Sequence, residues 1–141
     1  LEIASELISG ITTNSLEIGN YLLKGNIGEA LFRIDCLIDA GEPPLRILAT
    51  LTGQIRSCLW VTLLQLEGEN DVKIIAKAAG ISNPKRIYIL RKQIQGQKPI
   101  QFLRLLRGLL DVEASLKRGI FAKDAFKDGL INQKSFEYKE V

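Results

Sequence analysis

The chain has 141 residues, the length of one domain, and at that size about two-thirds of the unfolded surface is buried on folding, enough for a real core. Its 46% apolar and 25% charged residues are the balance of a globular protein, and with aromatics at only 6% the core has to be mostly Leu, Ile and Ala. Histidine is absent, which excludes Ser-His-Asp and Cys-His nucleophilic sites and His-ligated metals. Methionine is absent too, which points to a piece of a longer or processed chain. Cys36 and Cys58 are too few for a four-thiolate metal site, and a domain of this size needs no disulfide framework. Both lie in apolar, helix-like runs and are expected as buried free thiols in a reducing, cytoplasmic setting. The apolar stretch from Cys58 to Leu66 is shorter than the roughly 20 residues of a membrane span, and no signal-peptide pattern is present.

The net charge of +3 conceals three blocks. Residues 1–72 hold ten acids and four bases, net −6. Residues 73–107 hold nine bases and no acid. Residues 108–141 hold six of each. Such segregation points either to a basic surface that meets an anionic partner, nucleic acid or an acidic protein surface, or to a solvated Lys/Arg-rich helical face.

No period-2 alternation is sustained, and apolar residues recur at spacings of three and four, the helical pattern. Residues 1–9 read as a short helix or the tail of an upstream element. Asn14, with Glu17 three residues on, resembles a capping box for a helix that runs to about Lys24 and stops at Gly25. Asn26 and Glu29 repeat the arrangement for a helix with Ile27, Ala30, Leu31, Ile34, Leu37 and Ile38 on one stripe, closed by Gly41. Pro43 and Pro44 then suit a helix N-terminus, where a missing N–H costs little. The helix they start runs to about Leu66. One face carries Leu48, Leu51, Ile55, Cys58, Thr62 and Leu66. A second carries Ala49, Gly53, Arg56, Trp60 and Leu64. A helix apolar on two sides is central in its bundle or touches a partner. Trp60, roughly 120–140° around from the first stripe, either packs within the domain or anchors an interface with Arg56 and Leu64 beside it.

Asp71 caps a short helix, Val72 to Ala79, that Gly80 closes. Asn83 and Pro84 start the next, with Ile87, Leu90 and Ile94 inward and Lys85, Tyr88, Lys92 and Gln95 on its other side. A helix from about Pro99 to Arg118 turns Phe102, Leu105, Leu106, Leu109, Val112 and Leu116 to the core, with Arg104, Arg107, Asp111, Ser115 and Arg118 opposite, and Gly119 ends it. Asp124 is expected to cap a last helix to about Ile131, and the tail from Asn132 is polar. The expected organisation is a remnant of an upstream module or linker over 1–13, one all-α bundle of about six to seven helices over 14–131, and a frayed tail over 132–141.

Catalytic signals are weak. There is no Walker-type loop, no CxxC, no HExxH, and no carboxylate pair inside an apolar run. No catalytic residue, cofactor or metal is therefore expected. Residues 71–95 do read as helix, turn, helix, with Ala76 and Gly80 four apart and a basic second helix carrying Gln93 and Gln95. A stand-alone helix-turn-helix DNA binder is thus one alternative, with Lys85, Arg86, Arg91 and Lys92 as its cations. A second basic site is the turn at Lys117, Arg118 and Phe121, where an aromatic and two cations together suit a stacked base and a phosphate. The plainer reading is that Phe121 tucks into the core.

Several stretches in order are similar to one family. They are Asn14-Ser15-Leu16-Glu17-Ile18, Leu22-Leu23-Lys24-Gly25-Asn26, Glu29-Ala30-Leu31, Ala40-Gly41-Glu42-Pro43-Pro44-Leu45 and Leu51-Thr52-Gly53-Gln54-Ile55-Arg56, then Ile75-Ala76-Lys77 with Gly80-Ile81, and Glu113-Ala114-Ser115-Leu116-Lys117-Arg118-Gly119. Across roughly residues 10–131 the chain resembles the C-terminal domain of the delta subunit of bacterial DNA polymerase III, part of the clamp loader. The resemblance implies a non-catalytic helical domain within a polymerase holoenzyme. It implies a collar of such domains, formed with the gamma/tau and delta-prime subunits. It also implies AAA+-like modules upstream of Leu1 that carry the sliding-clamp contact, so no clamp-binding residue is expected here.

Overall fold

The computed structural model describes residues 16–131, and within them the fold is helices joined by short turns, with no strand. Helix α1 covers residues 16–23. It is followed by α2 (Ile27–Asp39), α3 (Pro44–Leu66), α4 (Val72–Ala79), α5 (Arg86–Gln93), α6 (Pro99–Lys117) and α7 (Ala122–Ile131). The expected helix over residues 1–9, the Asn14 cap and the polar tail from Asn132 lie outside the described residues.

Local chemistry sets the boundaries. The Glu29 N–H donates to Asn26 Oδ1 at 3.4 Å, and the Lys73 N–H donates to Asp71 Oδ1 at 2.9 Å, so both helix starts use side-chain caps. Pro44 opens α3, where its missing N–H is one that no intrahelical carbonyl would have taken. Gly80 closes α4 at φ +73, a left-handed conformation that an L side chain resists.

Helix α3 is the hub, packing on α4, α5 and α6, while α6 packs on α7 and α7 on α2. Its inner side sinks Ile47, Leu48, Leu51, Ile55, Cys58, Val61 and Thr62, and the Thr62 hydroxyl, buried with them, donates to the Cys58 carbonyl at 2.8 Å. Phe102, Leu109 and Val112 of α6 and Phe126 and Leu130 of α7 join these residues in one continuous core. Side-chain amides tie α1 to the bundle: Gln54 Nε2 donates to the Leu16 carbonyl at 3.1 Å, and Gln97 Nε2 to the Leu23 carbonyl at 3.0 Å. Arg33 of α2 bridges two carboxylates, Nη1 donating to Glu17 at 2.9 Å and Nε to Glu29 at 3.1 Å, with the Tyr21 ring centre 4.9 Å from its guanidinium carbon.

The structure corrects four expectations. Cys36 is exposed and only Cys58 is buried, because residue 36 lies on the side of α2 opposite Ile34 (two residues apart turn a helix by about 200°). Leu66 is 70% exposed, since the last turn of α3 outruns the helices that cover its inner stripe. Asp124 does not cap α7, which starts at Ala122 and places Asp124 in its first turn, where a carboxylate still favours the helix dipole. Finally, α3 as a whole has a mean hydropathy of 1.4 over 18 residues and is long and apolar enough to cross a membrane by length and composition. The apolar run from Cys58 to Leu66 understated it, because scattered Thr, Ser and Gly do not lower the average far.

Helices α6 and α7 cross closely at Gly129. A Cβ built there would stand 2.5 Å from Val112 Cγ2 and 2.8 Å from the Gly108 carbonyl oxygen, whereas a Cβ at Gly53 of α3 would meet nothing within 4 Å. Gly129→Ala is therefore expected to destabilise by about 1–3 kcal/mol through overpacking, and Gly53→Ala to stabilise by up to about 1 kcal/mol through helix propensity. Urea denaturation midpoints of the two variants check both signs.

Candidate interface and anion-facing surfaces

The outer side of α3 stays wet although it is apolar. Trp60 is 44% exposed and Leu63 37%, with Leu45 at 57% near the start of the same side. Arg56 is exposed between them, one turn before Trp60, and is the cation of this stripe. Leu64, expected on this side, is half-buried and packs against the core. Leu63 and Leu45 take its place. Sequence reading missed them because an error of one residue rotates a helix position by about 100°. Trp60 and Arg56 thus share a surface, with Leu64 at its edge. Beside them a groove runs between α3 and the α4–α5 turn, lined by Ala49, Gly53, Ser57, Gly80, Ile81 and Arg86. The Ser57 hydroxyl closes its floor by donating to the Ala79 carbonyl at 3.0 Å.

Arg86, Arg91 and Lys92 lie on α5 and Lys85 at its cap, with Arg86 on the groove beside α3 and Arg91 and Lys92 on a separate cleft. Lys85, Arg86 and Lys92 are exposed and Arg91 is half-buried. Tyr88, 57% exposed, lies on the same helix, and the Arg91 guanidinium carbon sits 6.0 Å from its ring centre. Arg91 and Lys92 occupy the last turn of α5, where cations favour the helix dipole. They also line a cleft of about 480 Å³ with Thr62, Gln65, Leu66 and Gln95. Arg91 Nε is buried there without a hydrogen-bond partner.

Lys117, Arg118 and Phe121 lie elsewhere, at the far end of α6. Its 19 residues span roughly 28 Å at about 1.5 Å each, so the structure does not bring the two basic groups into one site. Phe121 does not tuck into the core and is 83% exposed. Lys117 is held by Glu113 at 2.8 Å, and Arg118 donates to the Ser115 hydroxyl at 3.3 Å. Among the described residues no group of three or more His, Cys, Asp or Glu side chains is placed to hold a metal.

An all-α bundle built around a two-sided central helix, with cations gathered at separate ends, is the class that fold and surface define. The sequence profile described as DNA polymerase III delta subunit, C-terminal domain, matches residues 12–133, and the chain belongs to that family. It has no significant match among curated proteins or solved structures.

The two thiols differ in chemistry. Burial pushes the Cys58 thiol up to about 11 from 9.0, and Cys36 is open to solvent. Iodoacetamide at pH 8 is expected to modify Cys36 in the folded chain and Cys58 only after denaturation, as read by peptide mass spectrometry. The sign of the pH effect follows. A Cys58 proton held more tightly in the folded state stabilises the fold increasingly less as pH rises from 9 to 11. The stability advantage of the wild type over Cys58→Ala is expected to shrink across that window by roughly 2–3 kcal/mol, measured by urea titration at each pH.

Proposed function

We propose that this domain is a non-catalytic assembly module, the collar piece of the clamp loader's delta subunit, acting in the cytoplasm during DNA replication. The observation that carries the reading is the wet apolar side of α3 in a chain of this family. Trp60, Leu63 and Leu45 expose a hydrophobic stripe with Arg56 within it, the composition that interface centres favour: aromatic and Arg anchors with few acids. In this reading the gamma/tau and delta-prime subunits cover that side of α3, and AAA+-like modules and the sliding-clamp contact belong to other parts of the delta subunit.

A contact with DNA at the α6–α7 turn is a second part of the proposal, favoured by the 83% exposure of Phe121. An aromatic ring left in water beside Arg118 suits base stacking next to a phosphate. The helix-turn-helix alternative has support in α4 and α5 alone, whereas the family match spans the bundle.

Trp60→Ala combined with Leu63→Ala is expected to weaken association with the gamma/tau and delta-prime C-terminal domains by at least roughly tenfold. The isolated chain should stay folded with at most a modest fall in melting temperature, because neither side chain belongs to the buried core. Size-exclusion chromatography with light scattering, on the chain alone and in mixtures, reads the assembly. A variant that assembles like wild type would remove α3 from the interface. Phe121→Ala with Arg118→Ala is expected to lower the DNA affinity of the assembled loader and leave assembly intact.

A further inference from the structure

The cleft at the end of α3 has features that packing alone does not explain. Cations and amides line it, and no carboxylate does. At about 480 Å³ it falls within the roughly 300–1,000 Å³ range of small-ligand sites. The buried Nε–H of Arg91 is left without a hydrogen-bond partner among the described residues. A buried donor without a partner is costly, and a guanidinium offers the planar fork that fits a phosphate. The carbonyls at the end of α3 do not fill that role from their side. Leu63, Leu64 and Gln65 carbonyls are already taken by the N–H groups of Glu67, Glu69 and Gly68.

We infer that this cleft seats one phosphodiester of single-stranded DNA, with Arg91 and Lys92 on the phosphate and the neighbouring base stacked on Tyr88. The ring and the guanidinium carbon lie 6.0 Å apart, within the span of one nucleotide. Tyr88 is flanked one helical turn away on either side by Lys85 and Lys92, both exposed. Alternating aromatic and cationic groups are the elements of a sequence-tolerant strand track. Stacking is what a strand with flat bases adds to the charge pairing that an acidic peptide offers equally, so the exposed ring beside the cations favours the nucleic-acid strand. The inference rests on reading the α5 cations as an anion-facing surface, and it names the site, its ligand class and the residue that selects it. It is separate from the Phe121 turn, which lies at the other end of α6.

The test is fluorescence anisotropy with a labelled oligothymidylate, using the whole 141-residue chain at two salt concentrations. Arg91→Gln and Tyr88→Ala are each expected to weaken binding by about tenfold, with Arg91→Gln also flattening the salt dependence. Circular dichroism melts report folding, and Arg91→Lys serves as a second, milder variant expected to retain part of the affinity. Several results would overturn the inference: no binding at low salt, or folded Arg91 variants that bind like wild type. A stability loss without an affinity loss would mark Arg91 as a dipole partner of α5 only. Stronger binding to a duplex of the same length would favour groove reading. Equal competition by poly-glutamate at matched charge would favour an acidic protein partner. If Lys85→Glu with Arg86→Glu abolishes binding while Arg91→Gln does not, the basic surface stands and the cleft does not. Assembly measured in parallel keeps the failure of the collar reading distinguishable, since Arg91 and Tyr88 lie off the outer stripe of α3.

Discussion

Seven side chains of α3, from Ile47 to Thr62, are withdrawn from water along one side of a single 23-residue rod. Every other packing choice follows from that. A helix of this length cannot bury such a stripe against one short neighbour, so α4 and α5 cover parts of it and α6 covers the rest. Helix α6 then has to be covered in turn. It achieves this by letting α7 approach until Gly129 lies against Val112 and the Gly108 carbonyl. The absence of side chains at both glycines is what brings these two backbones together, and close packing of that kind leaves little freedom for the rest of the core. The polar ties from Gln54 and Gln97 to α1 add to the burial of its Ile18, Leu22 and Leu23 in the core.

The inner stripe of α3 therefore has its partners inside the domain, whereas Leu45, Trp60 and Leu63 on its outer side remain exposed. Isolated exposed apolar side chains are normal. A row of them on one helix, with Trp60 among them, is not the ordinary surface of a monomer. The hydropathy of α3 makes the same point from composition, because only 39% of its most apolar window is buried. An apolar helix whose burial is only partly met by its own domain is what a subunit of a larger assembly presents, and this agrees with membership in a polymerase subunit family.

Much of the fold was legible in the chain because helix ends are decided locally. Asn26, Asp71, the Pro43-Pro44 pair and Gly80 act through bonds within one turn, so their effect survives without knowledge of the tertiary structure. Which side of a helix faces what is a different matter. Cys36 and Leu66 have apolar neighbours in sequence, yet both are exposed because burial depends on where the covering helix stops. Leu63 and Leu64 differ by one position and by about 100° of rotation, and no periodicity argument resolves which of them faces water. The Asp124 cap failed for a related reason: Asp at the third position of a helix and Asp at its cap look alike in sequence. The candidate interface was thus half legible. Trp60 and Arg56 were visible as a second face, whereas Leu63 and Leu45 required the packed structure. The unmatched Nε–H of Arg91 leaves no trace in sequence at all, since it records the absence of a partner in space.

The block of nine bases over residues 73–107 suggests a long-range field, but screening argues for a local effect. At physiological salt the Debye length is about 8 Å, far less than the roughly 28 Å along α6 that separates α5 from the Phe121 turn. The two basic groups therefore act independently, and the net charge of +3 says little about either. What distinguishes the α5 end is desolvation. Lys85 and Lys92 remain hydrated, and exposed charges of that kind contribute little beyond attraction. Arg91 has already lost water from Nε without receiving a bond in return. The half-buried guanidinium is only partly hydrated, so an anion that pairs with it displaces less solvent than at the exposed lysines. The discriminating power of this surface therefore lies in the one half-buried guanidinium, and the exposed Lys85, Arg86 and Lys92 set only how often an anion arrives.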